Sequence, residues 1–333
     1  MSCGFVGNSD MYGFGIRIGF YLQWYGGIAA NWLAQSEVKG LRLADSLFIS
    51  ATFLALIIQT PMATLQPVEI YIILLLTYGS FYFLVPLYFW RLATACNPLR
   101  DPTRWTRVKP GRVYSVACFG LLMAETSFQL WFWCTGINTI PREALDADCP
   151  EYGFLFARVA LNNPLFIAGN IMLNLLLLIF SLVFFCLGAN LVPLPRALRK
   201  KERRARRHPP SDGEVLGLQL LQSALNCTVA SIIVAATELT IQWNNISGVN
   251  DVSTAGQIIP VIIAAGLVSR VVYVYLFEEE VDAGSGGNGS GSGSSQTGSS
   301  TTPGPQSPRP RAPDPIYTMP PRQSMPPPPP PPQ

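Results

Sequence analysis

Four ionisable residues, Arg17, Glu125, Glu238 and Arg270, each interrupt a long hydrophobic run. A charge at the centre of a membrane helix costs about 2.5–3.5 kcal/mol on insertion scales, so each needs a partner or a task. Depth along the runs matches Arg17 with Glu238 and Glu125 with Arg270. Such pairs hold helices in register, or act as gates and proton-sensitive latches; Arg17 could also snorkel without a partner. Amide side chains extend the pattern. Glu125 and Gln129, Asn170 and Asn174, and Glu238 and Gln242 are each four residues apart, and Gln219, Gln222 and Asn226 share one face. Side chains at these spacings stack on one side of a helix. Polar stripes of this kind either hydrogen-bond to neighbouring helices or line a hydrated cavity.

Other chemistry is missing from the sequence. The one histidine, His208, lies among arginines in a connecting loop, which removes histidine acid–base catalysis within the runs and any HExxH-type metal site. No G-x-S-x-G elbow or phosphate-binding Gly-Lys loop occurs. Lys39, Lys109, Lys200 and Lys201 all read as loop residues, so no run offers an amine for a Schiff base. The expectation is a protein that is not an enzyme, with no catalytic residue, metal site or cofactor.

Cysteines divide by position. Cys118, Cys186 and Cys227 fall within runs as small apolar residues, and Cys96 belongs to a basic loop. Cys3, Cys134 and Cys149 fall on the opposite side, where disulfides persist. Three thiols allow three pairings. Cys134 adjoins Trp131-Phe132-Trp133 at the membrane boundary, which favours Cys3–Cys149, with Cys134–Cys149 as the competitor.

The elements that must position these groups follow from composition. Hydrophobic residues make up 49% of the 333 and charged residues 13%, against roughly 25% charged in soluble domains. About twenty mainly apolar residues suffice to cross a ~30 Å hydrocarbon core as a helix. Seven runs qualify: Gly15–Ala34, Ser46–Leu65, Val68–Trp90, Val113–Gly136, Leu165–Leu191, Val215–Trp243 and Gln257–Phe277. The first is the weakest, since it holds Arg17, Gln23 and Asn31; with no basic region before it, it is expected to act as its own insertion signal. The fold class is therefore an all-α polytopic transmembrane bundle. Residues 1–14 precede it, residues 15–277 form it, and 278–333 follow as a tail. Gly15 and Gly19, and Ser231 and Ala235, are small-residue spacings suited to close helix packing. Pro86 is expected to kink the third run, and Pro260 to sit in the first turn of the seventh.

Loop charge orients the bundle. The loops after runs one, three and five carry two, six and eight Lys or Arg residues, the last between Arg196 and Arg207; the opposite loops carry only Arg142 and Arg158. Basic loops stay in the cytoplasm, which places the N-terminus outside and the C-terminus inside. Asn245-Ile246-Ser247 then falls outside as a glycosylation acceptor triplet. The basic loops suit anionic lipid at the adjacent leaflet, and nucleic acid is not needed to explain them. From about Asp282 the chain turns Gly/Ser-rich and then proline-rich, ending in Pro326–Pro332. Such a composition predicts a disordered tail able to dock with proline-recognition modules.

Several segments resemble a group of uncharacterised fungal multi-pass membrane proteins. They are residues 3–10, 12–17 through 21–24, 149–154, and Glu238-Leu239-Thr240-Ile241-Gln242-Trp243-Asn244-Asn245-Ile246 with Gly248-Val249-Asn250. The resemblance implies a shared membrane architecture, with Cys3 and Cys149 inside similar segments, and names no substrate. Two functions fit these readings: a transporter or channel for a small solute or ion, or a seven-span receptor-like scaffold recruiting partners through its tail. Either would reside in the plasma membrane or a secretory-pathway membrane.

Overall fold

The computed structural model describes residues 4–97, 99–105, 108–109, 111–140, 149–188, 211–252 and 254–285. The basic run from Arg196 to Arg207, His208, Arg142, Cys3 and the proline-rich stretch lie outside these residues. By its contacts the chain divides into Met1–Gly287 and Asn288–Gln333, and only the first contains described residues.

The described residues are mainly helical, in the order α1 Ser9–Tyr12, α2 Phe14–Leu33, α3 Val38–Gln59, α4 Pro67–Thr77, α5 Gly79–Tyr82, α6 Leu84–Ala93 and α7 Arg112–Trp131. A π-helical turn, Phe132–Gly136, extends α7. The hairpin of β1 Tyr152–Phe154 and β2 Arg158–Ala160 leads into α8 Pro164–Gly188, α9 Asp212–Trp243 and α10 Ala255–Ser285. Helix starts follow local chemistry. Gln66 and Glu69 form a capping box with Pro67 in the first turn of α4, and Ser211 and Glu214 do the same for α9.

Five helical stretches are long and apolar enough to cross a membrane: Val38–Met62, Arg112–Thr139, Pro164–Leu187, Asp212–Trp243 and Ala255–Phe277. The pair Pro67–Thr77 and Gly79–Ala93, bent by 57°, makes a sixth. Helix α2 has 20 residues, enough length to span, yet Arg17, Gln23 and Asn31 dilute its apolar character and it is not among them.

Two boundaries differ from the sequence reading. Helix α3 begins at Val38, eight residues before Ser46, because Val38 and Leu41 are buried and continue the helical pattern. Lys39 and Arg42 are thus helical, and Asp45 lies inside the element. A 57° bend in the third run falls between Thr77 and Gly79, and a second interruption, at Phe83, lies three residues before Pro86. Pro86 is the third residue of α6, and the chain breaks between α5 and α6 just before it, as a proline that cannot bond back to Tyr82 requires. Gly79 faces the Trp24 ring so closely that an added Cβ would stand 2.4 Å from it. Pro260 is the sixth residue of α10, not in its first turn.

Every residue of α4 is buried, which makes it the central rod. Tyr71 of α4 packs edge-on against Trp133 and Phe166, joining α4 to α7 and α8. Ile258, Ile259, Ile262 and Ile263 of α10 are exposed, as are Leu175, Leu176 and Ile179 of α8, the pattern expected of faces turned to lipid.

Glycines of α2 seat α10 against it. A Cβ on Gly15 would lie 2.2 Å from the Gln257 carbonyl oxygen, and one on Gly19 3.1 Å from Pro260, so the backbones approach closely. Gly15→Val is expected to lower stability by about 1–3 kcal/mol through overpacking. Gly27→Ala on the same helix, where an added Cβ meets nothing within 4 Å, is expected to be neutral or stabilising. Thermal unfolding in detergent distinguishes them, and equal midpoints would contradict this packing.

Candidate functional site

Polar groups inside the bundle sort into three places. The first is a cap over one end. Phe5 to Gly7 run beside Ser247, with Ser247 N donating to Phe5 O and Gly7 N to Ser247 O, each at 2.9 Å. Asn244 exchanges two 2.8 Å bonds with the backbone of Tyr152, pinning the hairpin to α9. Glu69 accepts from Asn8 N at 2.8 Å and from the Tyr12 hydroxyl at 2.7 Å. Burial and the Glu69 carboxylate both push the Tyr12 phenol upward, so Tyr12 remains a donor. Cys149 is disulfide-bonded, whereas Cys134 is a free thiol; Cys3, the expected partner, lies outside the described residues. Asn245 is exposed on this cap in a left-handed turn (φ 47°), with the Gly4 backbone close against it.

Arg17 ties the cap to the bundle. Its guanidinium is fully buried, pairs with Glu238, and donates to Val249 O at 3.1 Å and to Asn250 Oδ1 at 2.7 Å. The Tyr21 hydroxyl donates to the second Glu238 oxygen at 2.9 Å. Gln242, one turn beyond Glu238, is exposed and adds nothing to this group.

The second place is a closed cluster between α7 and α8. Gln129 Oε1 accepts from Asn174 Nδ2 at 2.8 Å, both residues being buried. Asn170 turns back to its own helix, donating to Phe166 O. Glu125 is fully buried, and neither carboxylate oxygen has a hydrogen-bond partner. The expected Glu125–Arg270 pair does not form. Arg270 projects from an exposed position on α10 and binds Glu37 at the start of α3, with Nε to Oε2 at 2.8 Å. Glu37 sits in a connector, where matching depths between runs could not find it.

The third place is a cavity of about 770 Å³ among α2, α3, α5–α6, α7 and α9. It reaches from Gln23 and Trp24 to Arg91 and Thr103, toward the end of the bundle that carries the basic connectors. Gln219, Gln222 and Asn226 line it, so the α9 stripe borders a cavity while the α7 stripe is packed away. Asp45 and Ser80 also line it. Trp24 Nε1 donates to Ser80 Oγ at 3.0 Å, and Ser80 Oγ donates to Asp45 Oδ2 at 2.9 Å, a relay joining three helices. Asp45 escaped the sequence reading because Lys39 and Arg42 pulled the apparent start of its run past it. The helical spacing of Leu41, Asp45 and Ile49 was the signal that could have extended it. No group of His, Cys, Asp and Glu among the described residues could hold a metal ion.

Removing the Arg17 pair from either side is expected to have unequal cost. Glu238→Ala strands a buried cation and should lose about 3–5 kcal/mol. Arg17→Met leaves Glu238, whose side chain is 42% exposed, able to meet water, and should lose less. Unfolding midpoints of the two variants in detergent check the order; the reverse order would contradict this account of the cap.

Comparison with family models, curated proteins and solved structures finds no match to this chain.

Proposed function

We propose that this chain is a seven-span membrane transporter for a small polar solute, with the capped end outside and the basic end in the cytoplasm. The cavity carries this reading. It is a mainly apolar space inside a helix bundle that carries a few polar side chains, Gln23, Asp45, Ser80, Gln222 and Asn226 among them, and it has a size typical of small-molecule sites (about 300–1,000 Å³). Counting α2 as the seventh span is supported by its length, which at 1.5 Å per residue is about 30 Å, and by its packing along α10. Its polar residues Arg17 and Gln23 are turned inward, as a membrane helix requires. The orientation rests on the loop charges, with sixteen basic residues against two.

The cavity ends near Gln23 and Trp24, while Arg17, one to two turns further on, is sealed under the cap. A path closed on one side favours a carrier over a continuous pore. The proline run Pro326–Pro332 supports a second reading, a scaffold recruiting proline-binding partners. That reading needs no cavity, and it predicts that tail truncation abolishes partner capture.

Proteoliposomes tested with labelled organic amines, amino acids, hexoses and inorganic ions provide the check. At least one solute is expected to accumulate above protein-free vesicles, and Gln222→Trp, which fills the cavity, should reduce uptake at least tenfold. Folded wild-type protein that moves none of them would contradict transport.

A further inference from the structure

We infer that the cavity binds a small solute carrying a single protonated amine, with the Asp45 carboxylate as its anchor. The inference rests on the solute-binding reading of the cavity and names the class of solute. Its first support is a missing partner. Asp45 Oδ2 accepts from Ser80, but Oδ1 is buried with no hydrogen-bond partner. A carboxylate away from water is costly unless a cation and hydrogen-bond donors meet it.

The arginines around it are committed elsewhere. Arg17 is held by Glu238 and Arg270 by Glu37. Arg91 also lines the cavity, but it binds Asp101 at 3.0 Å and Thr103 at 2.5 Å. Arg42, one turn before Asp45 on α3, gives Nη1 to Val108 O at 3.1 Å. Among the described residues, no cation pairs with Asp45, and an ammonium group would supply both the charge and the donor that Oδ1 lacks.

The second support is aromatic. Trp24, Phe81 and Phe83 line the same cavity, and the Ser80 bond to its Nε1 fixes the Trp24 ring. Such faces attract an organic cation through the ring quadrupole. Gln23 and Asn226 add amide oxygens that are buried and unpartnered. Arg42 stands toward the basic end from Asp45 and opposes a second positive charge on the solute, which limits it to one.

The test is binding, independent of flux. Purified full-length protein in detergent is titrated with 2-phenylethylamine, 2-phenylethanol and phenylacetate, three probes of similar shape and different charge, followed by tryptophan fluorescence. The amine is expected to bind saturably, at least tenfold more tightly than the alcohol, with phenylacetate not binding. Asp45→Asn should weaken the amine at least tenfold and leave the alcohol unchanged. Phe83→Leu, which keeps every polar group, should weaken the amine several-fold and serves if Asp45→Asn does not fold. Equal binding of amine and alcohol, amine affinity unchanged in folded Asp45→Asn, or no saturable binding would overturn the inference. Amine binding without vesicle uptake would sink transport alone; uptake of an uncharged solute without amine binding would sink this inference alone.

Discussion

A guanidinium with no exposed surface sets the terms for one end of this molecule. Arg17 cannot reach water, so its donors must be met by protein. Its two terminal nitrogens are met by Glu238 of α9 and by Val249 and Asn250 just beyond it, while Nε has no partner among the described residues. That requirement fixes α2 against α9 and brings the 244–250 segment over the helix ends. The N-terminal residues and the β1–β2 hairpin then complete the cap through Ser247 and Asn244. The cap around one buried cation thus joins three stretches that are far apart in sequence.

The same principle divides the remaining polar residues. In an apolar surrounding a polar side chain must bond to a neighbour or border a space that admits water or ligand. Gln129 and Asn174 take the first course, linking α7 to α8. Gln219, Gln222, Asn226 and Asp45 take the second and line the cavity. The result is a bundle packed shut at the capped end and hollow toward the basic end.

Helical class and the approximate positions of the long helices were legible because twenty-residue apolar runs leave few alternatives. Sequence spacing also put Gln219, Gln222 and Asn226 on one face, but it could not say whether that face met protein or space. Depth matching set Arg17 beside Glu238, since both lie at the same ends of their runs. It failed for Glu125 and Arg270, because a long arginine side chain can reach a connector residue such as Glu37. The cavity's own carboxylate was hidden by charge. Lys39 and Arg42 lowered the local hydropathy, and Asp45 seemed to lie outside its helix. The close fit of Gly79 against the Trp24 ring was hidden for another reason: the two are distant in sequence.

The division into a hollow half and a sealed half is most directly tested by thiol accessibility. Cysteines would be placed singly at Asn226 and at Gln129, with Cys96, Cys118, Cys134, Cys186 and Cys227 replaced by serine or alanine, in protein of known orientation in vesicles. A membrane-impermeant maleimide is predicted to label Asn226→Cys from the basic side only, and Gln129→Cys from neither side. An Asn226→Cys thiol inert from both sides, or a Gln129→Cys thiol that reacts readily, would contradict the account.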